Sequence, residues 1–75
     1  MNDKVNTIKS NVISALKKAE INVPYVFGYE EDGIITIGVE VDETDADRTN
    51  EVVGGFGHSE IVVREPDYAR IYLHI

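Results

Sequence analysis

Val5, Ile8, Val12, Ala15, Leu16 and Ala19 recur at intervals of three and four, which gathers them into one stripe of a 3.6-residue helix. This spacing predicts an amphipathic helix from the N-terminus to near Glu20. Asn2 or Asp3 is placed to accept hydrogen bonds from the first free amides, and Lys17 and Lys18 stand where the negative end of the helix dipole favours them. Pro24 bars continuation.

From Tyr25 the period changes to two. Tyr25, Phe27 and Tyr29 share one side of a strand, and after Glu30-Glu31-Asp32-Gly33 the alternation resumes in Ile35, Ile37, Val39 and Val41. Two such runs joined by Asp-Gly predict a β-hairpin. The other side of the second strand carries Ile34, Thr36, Gly38 and Glu40, a partly polar set expected to be at most half buried. Between Asp42 and Val53 only Ala46, Val52 and Val53 offer an apolar face. Thr44 followed by Asp47 resembles a capping box, so a short helix is expected there, closed by Gly54-Gly55 in the left-handed conformation open to glycine. Ile61–Arg64 reads as a third strand and Glu65-Pro66-Asp67-Tyr68 as a turn. In the fourth strand Ala69, Ile71, Leu73 and Ile75 alternate with Arg70, Tyr72 and His74.

The order α-β-β-α-β-β predicts a single α+β domain over residues 1–75, with an antiparallel-rich four-stranded sheet and the N-terminal helix on one face. The opposite face, carrying some of the aromatics with Arg70 and His74, is expected to stay open or to meet a second subunit. A chain of 75 residues buries only about 60% of the surface its unfolded form exposes. It holds no cysteine for disulfides or for the commonest zinc sites, so a homodimer is the expected supplement.

Charge sharpens the picture. The net charge is −7, and residues 1–18 hold Lys4, Lys9, Lys17 and Lys18 against Asp3 alone. Glu30 to Glu51 carries nine acids and one arginine, Arg48. A field of that sign repels nucleic acid and anionic lipid and attracts basic surfaces. Met1-Asn2-Asp3-Lys4 runs into a polar helix pattern with no apolar signal region, which points to the cytoplasm. No apolar run approaches the roughly 20 residues needed to span a bilayer, so no membrane role is expected.

Candidate chemistry is sparse. Gly54-Gly55-Phe56-Gly57-His58-Ser59 lacks the first glycine and the lysine of a phosphate-binding loop, with Val52 and His58 in those places, and precedes a strand rather than a helix. Its glycines read as a helix end and a close turn. Asp42, Asp45, Asp47 and Glu51 lack a calcium-loop pattern, since Asn50 stands where its glycine belongs and Phe56 where its closing glutamate belongs. His58 and His74 lack zinc-site spacing, and His58 and Ser59, as strand neighbours, point to opposite faces. So small a chain is expected to have little room for a cavity of about 300 Å³. No cofactor and no catalytic residue is expected.

What remains is the acidic surface: Glu30, Glu31 and Asp32 at a hairpin tip, then Glu40, Asp42, Glu43, Asp45, Asp47 and Glu51. A ridge of carboxylates can present charge much as a duplex does, at one charge per about 1.7 Å of axis. In size, charge density and lack of catalytic motifs the chain resembles the small acidic DNA-mimic proteins with which phages inhibit host DNA-binding proteins, restriction systems or repair enzymes. That resemblance implies a viral, non-enzymatic inhibitor or adaptor whose acids engage a basic, nucleic-acid-binding protein. Tyr25, Phe27, Tyr29 and Tyr72 are the candidate aromatic anchors, with Phe27 the more expected of them to pack under the helix and Tyr72 the less. Two other readings stand beside it: a small-ligand or metal-binding accessory domain using residues 54–59, and an enzyme completed at a dimer interface around His58 or His74.

Overall fold

The computed structural model describes residues 3–75, so the proposed cap at Asn2 lies outside the described residues. Helix α1 spans Asp3–Lys18, strands β1 and β2 span Tyr25–Glu31 and Ile34–Val41, and a 3₁₀ turn at Glu43–Asp45 leads into α2, Ala46–Val53. Strands β3, His58–Arg64, and β4, Ala69–His74, complete the chain. The expected α+β order is the one observed, although β3 begins three residues earlier than the apolar pattern alone marks. The sheet is antiparallel throughout, in the order β1-β2-β4-β3. No helix among the described residues is long and apolar enough to cross a membrane.

The second strand of each hairpin lies in the middle of the sheet, and these two strands supply most of the core. Ile35, Ile37, Val39 and Val41 of β2 and Ala69, Ile71 and Leu73 of β4 are buried under Val5, Val12 and Leu16 of α1 and Ala46 and Val53 of α2. Both helices cover the same face, α1 over β1 and β2, α2 over β3 and β4.

Helix α1 ends in a left-handed cap. Glu20 adopts φ 60°, its N–H reaches Lys17 O, and the Ile21 N–H reaches back to Leu16 O at 3.0 Å. This is the paired pattern of a Schellman motif, and it drops Ile21 into the core. At the other helix the sequence reading needs correction twice. Thr44 does not cap α2; instead Asp42 accepts from the Thr44 N–H and hydroxyl and starts the 3₁₀ turn, while Asp45, at the α2 N-cap, makes no side-chain cap bond. Gly54 closes α2 in the right-handed region at φ −61°, so its glycine is not needed for a left-handed turn. Close packing explains it, because a Cβ there would lie 3.1 Å from both Asn50 O and Ser59 Oγ.

The β1–β2 turn uses Asp32 and Gly33 at φ 53° and 79°, the positive pair expected of an Asp-Gly hairpin. On the opposite sheet edge, Ile61 faces Ile71 and Val63 faces Arg70, so Val62 is an extra residue that bulges β3. The bulge reverses the alternation beyond it. Arg64, opposite Ala69, consequently turns to the helix-covered face.

Candidate functional site

Register fixes which side chains share the uncovered face. Tyr29, Thr36, His74 and His58 form one row across the four strands, Phe27, Gly38, Tyr72 and Glu60 the next, and Tyr25, Glu40 and Arg70 the third. Tyr25, Phe27, Tyr29 and Tyr72 therefore converge on the face away from the helices. Phe27, ranked above Tyr72 for packing beneath α1, instead shares the open face with it. On the other side of β1, Gly28 lies against α1, where an added Cβ would fall 2.9 Å from Val5 Cγ1. Glycine allows the helix to settle close to the strand.

The four rings form one cluster. Phe27 stacks on Tyr29 with centroids 6.4 Å apart and planes 2° from parallel, meets Tyr72 edge-on at 5.9 Å, and lies 5.7 Å from Tyr25. Thr36 and Gly38 are buried on this face, contrary to the half-exposed expectation. The side chains that lie over this face do the covering: the Phe27 ring crosses Gly38, and His74 Nδ1 sits 3.0 Å from Thr36 Oγ1. Tyr25 and Tyr29 remain 55% and 47% exposed, and Ile34 and Val62 are 53% and 51% exposed. By strand alternation all four belong to this face, and they are four of the five large apolar side chains exposed among the described residues.

The acids do not form one ridge. Glu30, Glu31 and Asp32 occupy the tip of the β1–β2 hairpin, whereas Asp42, Glu43, Asp45 and Asp47 follow the far end of β2. The length of β2, about 23 Å at roughly 3.3 Å per residue, separates them. Glu40 lies between, on the open face, and Glu51 is exposed on α2. The second group is also partly neutralised, since Arg64 and Arg48 bring two positive charges to its four acids. Arg64 donates to Glu43 Oε2 at 2.7 Å and, through both terminal nitrogens, to Asp47 at 3.1 and 3.2 Å. Arg70 donates to Glu40 at 2.8 Å, and Arg48 pairs with Asp45 at 3.4 Å while also reaching the Ala19 carbonyl. The β3 bulge turns Arg64 toward these acids, and such a bulge leaves no mark in composition or period.

These contacts set the local electrostatics. Hydrogen bonds from Arg64, with its charge, hold the Asp47 carboxyl below its ordinary range, and the Thr44 N–H and hydroxyl do the same for Asp42. Asp47 and Glu43 raise Arg64, and Glu40 foremost raises Arg70. A cleft of about 420 Å³ opens at this end of the sheet, lined by Pro24, Glu40, Asp42, Asp45, Asp67 and Tyr68 among others. It exceeds the room expected of so short a chain. It adjoins the open face at Glu40, the cross-strand neighbour of Tyr25.

The glycine-rich segment is accounted for by packing. A Cβ on Gly57 would lie 2.8 Å from His74 O, and the Ser59 hydroxyl donates to Asn50 O at 3.1 Å. His58 stands opposite His74 on the open face, while Ser59, opposite Leu73, points away from it. No group of three or more His, Asp or Glu side chains placed to hold a metal ion occurs among the described residues. Comparisons with protein-family models, with curated proteins and with solved structures return no match.

Proposed function

We propose that this protein is a non-enzymatic binding module whose open sheet face engages a basic partner protein. The observation that carries the reading is the gathering of Tyr25, Phe27, Tyr29 and Tyr72 on the helix-free face, together with most of the exposed apolar side chains. Isolated exposed apolar residues are ordinary, but a contiguous set rimmed by polar groups marks an interaction surface, and aromatic residues dominate interface hot spots. The net charge of −7 and the carboxylates of the adjoining cleft favour a partner rich in lysine and arginine. Nucleic-acid-binding proteins are the class that most often presents such a surface.

The charge acts in this reading as steering and rim, not as an imitation of a phosphate backbone. Two acidic groups a strand's length apart, one of them paired with arginines, do not reproduce a continuous ladder of charge. The aromatic cluster supplies the desolvated contact that charge alone does not.

A capture experiment tests this. Tagged wild-type chain and a Tyr25→Ser/Tyr29→Ser variant are exposed to nuclease-treated lysate at low and moderate salt, and retained proteins are identified. A basic protein held by the wild type, lost with the double variant and weakened by salt is the expected result. The same proteins held equally by both forms would refute a role for this face.

A further inference from the structure

A groove of about 270 Å³ lies between α1 and the start of β1, lined by Ile13, Lys17, Ile21, Asn22, Val23 and Val26. Its origin is local. Gly28 lets α1 settle against β1 near Val5, whereas Val26, two residues back on the same side of the strand, carries a full side chain. The helix is held off there, and the gap beside Val26 stays open.

The lining has two kinds of chemistry. Ile21 is buried and Ile13, Val23 and Val26 are half-buried, so four aliphatic side chains supply an apolar wall. Lys17 stands four residues beyond Ile13 on α1, hence on the same helix face one turn on, and is exposed at the rim. Its ammonium takes part in no ion pair among the described residues, and Glu20, three residues on, does not engage it. Asn22 adds a side-chain amide that can donate. The helix end itself opposes an anion less than usual, because the carbonyls of Ala15, Leu16 and Lys17 are taken by the N–H groups of Ala19, Ile21 and Glu20.

We propose that this groove binds a small aliphatic carboxylate, its chain against Ile13, Ile21, Val23 and Val26 and its head on the Lys17 ammonium and the Asn22 amide. Each methylene taken out of water favours binding, and a charge-assisted hydrogen bond from Lys17 fixes which end of the ligand stays at the rim. One lysine matches one negative charge. The net charge of −7 on the chain repels polyanions far more than a monoanion, so phosphate esters and nucleotides are disfavoured. The volume falls just below the roughly 300 Å³ at which pockets for drug-sized molecules begin, which suits a short chain.

The site is separate from the open face. Val26 alternates with Tyr25 and Phe27 along β1, so its side chain points to the opposite side of the sheet from the aromatic cluster. Occupancy of the groove therefore does not depend on what the open face binds.

Titration of the full chain with sodium octanoate, kept below the concentration at which it forms micelles and followed by backbone and methyl NMR shifts, tests the site. Saturable shifts centred on Ile13, Val23 and Val26 are the expected result. Acetate, the same head without the tail, and octylammonium, the same tail with the opposite head, are expected to bind about ten-fold more weakly or less. Lys17→Met, an exposed change that keeps the stem and the helix, is expected to weaken octanoate about ten-fold, and Lys17→Arg to retain it. No saturable shift, or shifts centred away from the groove, would overturn the proposal. So would octylammonium binding as tightly as octanoate, or a folded Lys17→Met variant that binds octanoate like the wild type.

Discussion

The ring of Phe27 lies across Gly38 on the neighbouring strand so closely that a methyl group at position 38 would collide with Phe27 Cζ. Glycine is generally poor in a central strand because it adds no packing and loses the most entropy on folding. Here the ring takes the place of the missing side chain and buries the backbone beneath it. Gly38→Ala is therefore expected to turn the ring outward, dismantle its edge-on contact with Tyr72 and destabilise the fold by about 1–3 kcal/mol. Urea denaturation and the ring-current shifts of Tyr72 report both effects. An unchanged midpoint with unchanged shifts would contradict this packing.

Glu20 sits at φ 60°, in the left-handed region where a side chain is disfavoured, at the cap that ends α1. Glu20→Gly relieves that strain, partly offset by the greater freedom of glycine in the unfolded chain. A net gain of about 0.5–1 kcal/mol is expected, read as a raised denaturation midpoint with an unchanged slope. A loss of stability would show that the Glu20 side chain contributes something the cap geometry does not explain.

The Asp47 carboxyl is held below its ordinary value of 3.8 in the folded chain, chiefly by its hydrogen bonds from Arg64. A lowered folded value means that the unfolded chain binds the proton more tightly. The contribution is therefore present above 3.8 and is lost as pH falls through the lowered folded value. Arg64→Met removes the partner, so wild type and variant are expected to differ in melting temperature at neutral pH and to converge in acid well below 3.8. A gap that stays constant with pH would assign the role of Arg64 to packing of its stem.

The elements themselves were legible wherever one period ran long enough. The three-and-four spacing of α1, the alternation of β4 and the Asp32-Gly33 turn all read through to the structure. Helix α2 was thin in sequence because one of its buried positions is Thr49, which does not count as apolar. Alternation placed Tyr25, Phe27 and Tyr29 together but could not say which side of β1 the helix covers. That choice depends on α1 seating against Gly28, a contact between distant residues. The acidic ridge failed for a related reason: neighbours in sequence are carried apart by the length of β2. The neutralising arginines come from elsewhere, Arg64 lying 21 and 17 residues beyond Glu43 and Asp47 and turned toward them by a bulge.

The most direct test of a partner-binding open face is site-specific photo-crosslinking in the source cells. A photoreactive phenylalanine analogue replaces Tyr29 on that face or, as control, Asn11, exposed on α1. A discrete, basic protein crosslinked from position 29 and not from position 11 is the predicted result. No adduct from position 29, or the same adducts from both positions, would contradict the assignment of the open face as the binding surface.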